Sequence, residues 1–201
     1  MIVKICGITN EEDARVAVES GASAIGINFY RQSPRFVTLE QARRIARVAG
    51  NHLRVGIFVN AEGDELLRTA DEVGLDVVQV HGVFRRTRLR TWRAIRAGDA
   101  IPPEDEGIEA YLLDTPGTGF GGSGITFDWS LAAAFPHRKI VAGGLDSSNV
   151  AAAIEATAPW GVDACSRLES SPRSKDPNRV RAFVKAALAA SAETAASEVY
   201  L

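Results

Sequence analysis

Cys6 is the residue of this sequence that is best placed to take part in a reaction. Val3 and Ile5 belong to a short apolar run before it, Gly7 permits a tight turn, and Asn10 precedes three acidic residues typical of a first helical turn. A side chain between a strand and a helix faces the open end of a parallel sheet or barrel, where α/β enzymes carry their active sites. The alternative interpretation is a small buried thiol that only fills space.

Asp114 is a second candidate, because it ends the apolar run 111–113. An acid that follows a buried strand loses part of its hydration, which raises its pKa and suits it to donate a proton. An N-cap or loop contact is an equally good interpretation of Asp114 alone. Asp163 stands in a similar position in the last apolar run. Arg35, in a loop after the second run, could bind a carboxylate through two N–H groups, although a loop arginine is more often solvated.

Three segments late in the sequence, 121–124, 143–145 and 165–167, have the composition of phosphate-binding loops. Backbone N–H groups in such loops, with a helix N-terminus behind them, bind phosphate oxygens. In (β/α)8 enzymes the loops after strands seven and eight are a frequent phosphate site. Glycines often only turn the chain, so the prediction depends on three segments converging at one end of a barrel. The candidate phosphate ligands are Gly122, Ser123, Gly143, Gly144, Ser166 and Arg167.

Eight short apolar runs alternate with helical patterns and predict the framework that positions these residues. Most runs are continuous, which is typical of parallel strands covered on both faces. Eight such strands in 201 residues predict an α/β fold with one (β/α)8 TIM barrel, and a doubly wound open sheet is the alternative. No GxGxxG follows the first run, so a dinucleotide-binding sheet has little support. The predicted strands are Ile2–Ile8, Ala24–Tyr30, Arg54–Asn60, Asp76–His81, Thr91–Ala97, Ala110–Thr115, Lys139–Gly143 and Gly161–Cys165.

Two links between predicted strands fit a normal helix badly. The link 82–90 is shorter than the dozen or more residues that a crossover between parallel neighbours usually takes. The link 98–109 contains two consecutive prolines and an acidic cluster. We therefore predict shortened or missing helices after strands 4 and 5. The single barrel domain is expected over residues 1–190, with its last helix at Asp176–Ala190 and a frayed tail over 191–201.

Composition narrows the class of protein. A formal net charge of −2 and 46% apolar residues are ordinary for a globular protein and give no general attraction to nucleic acid or membranes. No apolar run is long enough to predict a membrane-spanning helix. The two cysteines, Cys6 and Cys165, lack CxxC or metal-type spacing. We therefore expect no metal site, a reducing cytoplasmic setting, and a monomer or weak homodimer.

A set of motifs follows a fixed order along the chain. It consists of Val3–Thr9, Ser33–Phe36, Val55–Asn60, Val78–Gly82, Leu112–Thr115, Gly121–Gly124 with Thr126–Trp129, and Ala142–Leu145. Together these motifs resemble the phosphoribosylanthranilate isomerase family. The resemblance implies an enzyme of tryptophan biosynthesis that needs no cofactor or metal. Its reaction is the Amadori rearrangement of N-(5-phosphoribosyl)anthranilate to 1-(2-carboxyphenylamino)-1-deoxyribulose 5-phosphate.

The resemblance also assigns roles to the candidate residues. Asp114 would protonate the ring oxygen of the aminated furanose, and the Cys6 thiolate would remove the neighbouring C2 proton. Because a free thiol has a pKa near 8.5, the pKa of Cys6 must be lowered or its proton must be shared. Arg35 would hold the anthranilate carboxylate and Asp163 would help to place the substrate. The glycine loops would anchor the phosphate of this small phosphosugar.

One segment departs from the family pattern. After strand eight the family usually reads Asp-x-Ser-Ser-Gly-x-Glu, whereas this chain has Arg167 at the glycine position and Cys165 at a serine position. The arginine either replaces lost N–H contacts with a charged pair or crowds the phosphate, and the sequence slightly favours crowding. Because strands one and eight are neighbours in a closed barrel, oxidation could link Cys6 to Cys165.

Two other functions remain open from the sequence. A catalytically weakened barrel of the same family could act as a phosphosugar-binding or assembly subunit; Arg167 favours this, whereas the intact Cys6, Asp114 and Arg35 oppose it. A related phosphosugar enzyme is the second alternative. It would call for a catalytic lysine or a second carboxylate on strand one in place of Cys6.

Overall fold

The fold is a closed barrel of eight parallel strands in the order β1 to β8, seen in a computed structural model that describes residues 1–83, 86–116 and 125–198. β1 pairs with β8, which excludes the open sheet and confirms the predicted TIM barrel. An antiparallel pair, β9 with β10, lies beyond the barrel. The strands are β1 (Ile2–Ile5), β2 (Ala24–Asn28), β3 (Leu53–Val59), β4 (Val77–His81), β5 (Thr91–Arg96), β6 (Ala110–Asp114), β7 (Lys139–Val141), β8 (Gly161–Ala164), β9 (Glu169–Ser171) and β10 (Ser174–Lys175).

Helices cover the outside of the barrel, and α1 and α2 begin at side-chain caps. Asn10 accepts a hydrogen bond from the Asp13 N–H group, and Thr38 forms a capping box with Gln41. The last helix continues to Glu198, so the predicted end at Ala190 is wrong and residues 191–198 of the predicted tail are helical. The helices are α1 (Glu11–Glu19), α2 (Leu39–Ala49), α3 (Gly63–Val73), α4 (Ser130–Ala133), α5 (Val150–Thr157) and α6 (Pro177–Glu198).

The flank beside β5 has no helical cover in the part of the chain that the structure describes. Residues 86–90 and 97–109 contain no helix, which confirms the predicted loss of helices after strands 4 and 5. Trp92 on β5 is fully buried and packs edge-on against Trp160. Its indole N–H donates to Glu109 at 3.0 Å. A large aromatic core residue therefore stabilises a flank that lacks helices.

A helix that crosses a bilayer must be both long and continuously apolar. Within residues 1–83, 86–116 and 125–198, no helix meets these two conditions.

Trp92→Ala is expected to lower the free energy of unfolding by about 3–5 kcal/mol, because it removes a buried aromatic side chain and leaves Glu109 without its indole donor. Urea unfolding followed by far-UV circular dichroism measures the change. Val83→Ser, at an exposed position near the same flank, is the control and should change the free energy by no more than about 0.5 kcal/mol. A loss below about 1 kcal/mol in Trp92→Ala would show that this flank does not depend on Trp92.

Candidate active site

A cavity of about 490 Å³ opens at the carboxyl ends of the barrel strands. This is the end of a TIM barrel at which active sites are built. The predicted candidates Gly122 and Ser123 lie outside the described residues. Every other predicted site residue lines this one cavity: Cys6, Arg35, Asp114, Gly143, Gly144, Asp163, Ser166 and Arg167.

One end of the cavity is formed by the backbone of Gly143 and Gly144 after β7. Both residues have positive φ, +83° and +60°, a conformation that favours glycine. A β-carbon on Gly143 would collide with the Thr115 hydroxyl, and one on Gly144 would lie 2.6 Å from the Ile125 carbonyl carbon. These two glycines are therefore required by close packing as well as by the turn, and they leave the backbone open to the cavity.

Arg167 lies at the same end, in a 3-10 turn over Ser166–Leu168. Its Nη1 donates to Asp146 Oδ2 at 2.7 Å, and both side chains are partly exposed. Among the described non-glycine residues, positive φ occurs only at Asn60, Ala158 and Arg173, so Arg167 does not have the backbone conformation that would call for a glycine. The pairing turns its guanidinium group toward the loop before α5.

Two thiols meet at the seam between β1 and β8. Ile5 is opposite Ala164 in the register, and the Cys6 N–H group donates to the Ala164 carbonyl at 2.9 Å, so Cys6 and Cys165 occupy the next opposite positions. Both side chains line the cavity. The Cys165 sulfur, as a hydrogen-bond partner, and burial raise the pKa of Cys6 well above its ordinary value, although Lys4 acts to lower it. The predicted sharing of the Cys6 proton is consistent with this geometry.

Cys165 has the opposite electrostatic environment. The hydrogen bond from Cys6 lowers the pKa of Cys165 to about 6, against the effect of burial and with help from Lys175 and Arg35. The Lys175 Nζ atom lies 3.7 Å from the Cys165 sulfur and donates to the Cys165 carbonyl at 3.0 Å. These groups therefore favour a thiolate on Cys165 over one on Cys6.

Asp163 is paired with Lys4, a residue that the sequence analysis did not select. The Lys4 Nζ atom lies 2.9 Å from Asp163 Oδ1, and both side chains are almost fully buried. Burial acts to lower the pKa of Lys4, but the charges of Asp163 and Cys6 outweigh it and raise that pKa. The Lys4 ammonium group, with Asp163 as its counter-ion, thus lies near Cys6.

Asp114 stands at the end of β6, on the cavity wall. Its Oδ1 accepts a hydrogen bond from the Thr115 N–H group at 2.8 Å. Burial raises the pKa of Asp114, and the Thr115 hydrogen bond and Lys4 offset this only in part. The direction of this shift is the one predicted for a residue that donates a proton.

Arg35 forms a bidentate ion pair with Glu169. Its Nε and Nη2 atoms donate to the two carboxylate oxygens at 2.6 and 2.7 Å, and Lys175 contacts the same carboxylate at 3.2 Å. The sequence analysis predicted that Arg35 binds a substrate carboxylate. It did not predict that Glu169 binds the Nε and Nη2 atoms of the guanidinium group. Among the described residues no hydrogen bond from Arg35 Nη1 is found, and Arg35 still lines the cavity.

Gln79 and His81 are cavity residues to which the sequence analysis gave no role. Gln79 Nε2 lies 2.9 Å from His81 Nε2, and Gln79 Oε1 is buried without a partner among the described residues. Burial, followed by Lys4, lowers the pKa of His81 to about 4, so its imidazole is neutral near pH 7. The polar residues in the apolar run of β4 were the available signal. No group of three or more potential metal ligands occurs in the described ranges.

Comparison with known proteins gives a consistent result. The family model described as N-(5'phosphoribosyl)anthranilate (PRA) isomerase matches residues 3–186. An N-(5'-phosphoribosyl)anthranilate isomerase from Solibacter usitatus is 48% identical, and the match covers 94% of this chain and 98% of that protein.

Two solved structures are similar over the same extent. One is of monomers derived from the dimeric phosphoribosylanthranilate isomerase of Thermotoga maritima, with 36% identity and a TM-score of 0.77. The other is a phosphoribosyl anthranilate isomerase in complex with reduced 1-(o-carboxyphenylamino)-1-deoxyribulose 5-phosphate, with 34% identity and a TM-score of 0.78. Each match covers 94% of this chain and 100% of the other.

Mild oxidation with hydrogen peroxide is expected to join Cys6 to Cys165. The Cys165 thiolate attacks the peroxide, forming a sulfenic acid and releasing hydroxide, and the Cys6 sulfur then displaces the sulfenic oxygen as water. Neighbouring strands lie about 4.8 Å apart, which is within the Cα separation of a disulfide. Intact mass spectrometry should show the loss of two hydrogens, with none lost in Cys165→Ser. Two free thiols in the treated protein would contradict the prediction.

Proposed function

This chain belongs to the N-(5'-phosphoribosyl)anthranilate isomerase family, and we propose that the cavity at the barrel mouth performs that isomerisation with Asp114 as acid and Cys6 as base. The observation that carries the proposal is that both residues line one cavity, together with the glycine backbone after β7. The cavity volume of about 490 Å³ is in the range of sites for small ligands.

The first step opens the sugar ring. Asp114 gives its proton to the ring oxygen, and the nitrogen lone pair forms an iminium with the former anomeric carbon. An acid suited to this step must be protonated in a fraction of the molecules near neutral pH. Burial raises the pKa of Asp114 and so supports this role.

The second step removes a proton from carbon. The iminium acidifies the C2 hydrogen, which Cys6 takes as a thiolate, and the resulting enolamine becomes the amino ketose when C1 gains a proton and the C2 hydroxyl loses one. Cys6 has gained the proton that Asp114 lost overall, and proton exchange with solvent restores both groups. Lys4, held beneath Cys6 by Asp163, supports this step because a fixed positive charge stabilises the thiolate.

The two ends of the substrate are anchored by different groups. We propose that Gly143, Gly144 and Ser166 bind the phosphate, because their backbone borders the cavity beside the loop before α5. At the other end, Glu169 fixes the guanidinium plane of Arg35, and Arg35 Nη1 binds the anthranilate carboxylate. Anchoring at both ends lets binding energy position the reacting carbons between acid and base.

We also propose the setting in which the enzyme works. Its partner is the small phosphosugar substrate, with no nucleic acid or membrane partner, in the cytoplasm. We propose a monomer or weak homodimer, since Val83 and Ile101 are exposed on the flank without helices.

Cys6→Ala and Asp114→Asn are each expected to lower kcat by about 10²- to 10⁴-fold, because each removes a general acid or base. The measurement is the loss of substrate fluorescence in purified protein. Asp99→Asn is the matched control, since Asp99 is exposed and lies away from the cavity, and its kcat should be unchanged. Turnover within a few-fold of the unaltered chain in both active-site variants would reject the assigned roles.

Arg167→Gly is expected to raise KM several-fold with little change in kcat. The ion pair with Asp146 is partly exposed and costs little to break, so the guanidinium group can exchange Asp146 for the phosphate. This proposal replaces the crowding that the sequence slightly favoured. Steady-state kinetics at low and moderate salt test it, and a fall in KM would show that Arg167 obstructs the phosphate and weakens the enzyme.

A further inference from the structure

Cys165 lies in a buried charged network that the two catalytic steps do not use. Lys175, on β10, is 3% exposed and its Nζ atom contacts both the Cys165 carbonyl and its sulfur. The same Nζ atom lies 3.2 Å from Glu169, which in turn is paired with Arg35. The β9–β10 hairpin thus brings a buried lysine next to the Cys165 sulfur.

The charges around the two sulfurs are unequal. Cys165 faces the cations Lys175 and Arg35, and the anion Glu169. Cys6 interacts mainly with the cation Lys4, which Asp163 already pairs, and less strongly with Arg35. Because two cations attract a negative charge at Cys165, a charge shared by the pair resides mainly there, with the Cys6 S–H group as its hydrogen-bond donor.

We propose that Cys165 is a positioning residue that holds the negative charge of the base until Cys6 has to act. In the resting enzyme Cys165 is the thiolate and Cys6 is the thiol. During the reaction the Cys6 proton moves along the hydrogen bond to the Cys165 sulfur, so that one S–H bond breaks, another forms and the negative charge passes to Cys6. Cys6 then takes the C2 proton. The inference depends on Cys6 being the base, as proposed above.

The chemistry of this position explains why a thiol differs from a hydroxyl here. A serine hydroxyl can donate a hydrogen bond to a Cys6 thiolate but cannot hold the charge itself near neutral pH. A cysteine can do both, because its thiol ionises close to neutrality when cations surround it. Replacing Cys165 with serine therefore separates storage of the charge from donation of a hydrogen bond.

Thiolate absorbance near 240 nm tests where the charge resides without any activity measurement. The chain has only two cysteines, so the signal reports on this pair alone. In the unaltered protein one thiolate should form with a pKa of about 6. Cys6→Ser should keep a thiolate with a lowered pKa, and Cys165→Ser should lose it. A low-pH thiolate that persists in Cys165→Ser, or disappears in Cys6→Ser, would overturn the inference.

The pH dependence of kcat/KM supplies the second test. In Cys165→Ser the charge must form on Cys6, farther from Lys175, so the acid limb of the profile should move to higher pH. A shift of the acid limb by one pH unit lowers kcat/KM about tenfold at pH values below the limb. We therefore expect kcat/KM of Cys165→Ser to fall at least about tenfold near pH 6, and the loss to become smaller as the pH rises. An acid limb at its original pH would mean that Cys165 only donates a hydrogen bond. Thermal unfolding of each variant confirms that it is folded.

The variants distinguish a failure of the proposed function from a failure of the proposed role of Cys165. If Cys6→Ser retains turnover, Cys6 is not the base and the proposed function loses its second step, whatever the absorbance shows. If Cys6→Ser is inactive but Cys165→Ser keeps both the low-pH thiolate and the original profile, the function stands and the role of Cys165 is refuted.

Discussion

The pairing of β1 with β8 is the constraint on which the rest of the site depends. It sets Lys4 opposite Asp163, across 159 residues of sequence, and it brings Cys6 beside Cys165. Neither charge of the buried Lys4–Asp163 pair is stable in the interior without the other, and removal of one partner of such a pair typically costs about 3–5 kcal/mol. Closing the barrel therefore brings together the Cys6 thiol and the charged groups around it in one step.

The buried ionisable groups of the cavity differ in how far a neighbouring opposite charge balances their own, and this difference shifts their pKa values. Lys4 and Asp163 neutralise each other, as do Arg35 and Glu169. Asp114 has no cation within ion-pair distance among the described residues, and burial therefore raises its pKa. A carboxyl group with a raised pKa and a thiol beside buried cations thus coexist in one cavity, as acid–base chemistry requires.

The sequence predicted those features of the fold and the site that depend on local residue patterns. Strand ends placed Cys6 and Asp114 at the barrel mouth, and the glycines after β7 indicated the open backbone there. It could not predict the Arg35–Glu169 pair, whose partners lie 134 residues apart, because such contacts depend on how the loops meet in three dimensions. The continuation of α6 as far as Glu198 was also missed, since an Ala-rich segment gives no stop signal and continues a helix readily.

The missing helices and the intact site belong to different parts of the barrel. None of the described residues that line the cavity lies on β5, whereas β2, β3, β4, β6 and β8 contribute residues to it, and Cys6 and Ala142 line it directly after β1 and β7. The loss of helices around β5 therefore removes cover from a strand that supports the barrel and does not carry the chemistry. Trp92 compensates for this loss by packing from within the barrel, next to Trp160, rather than from outside. The barrel can thus lose part of its helical layer because side chains that pack inside the barrel stabilise its strands.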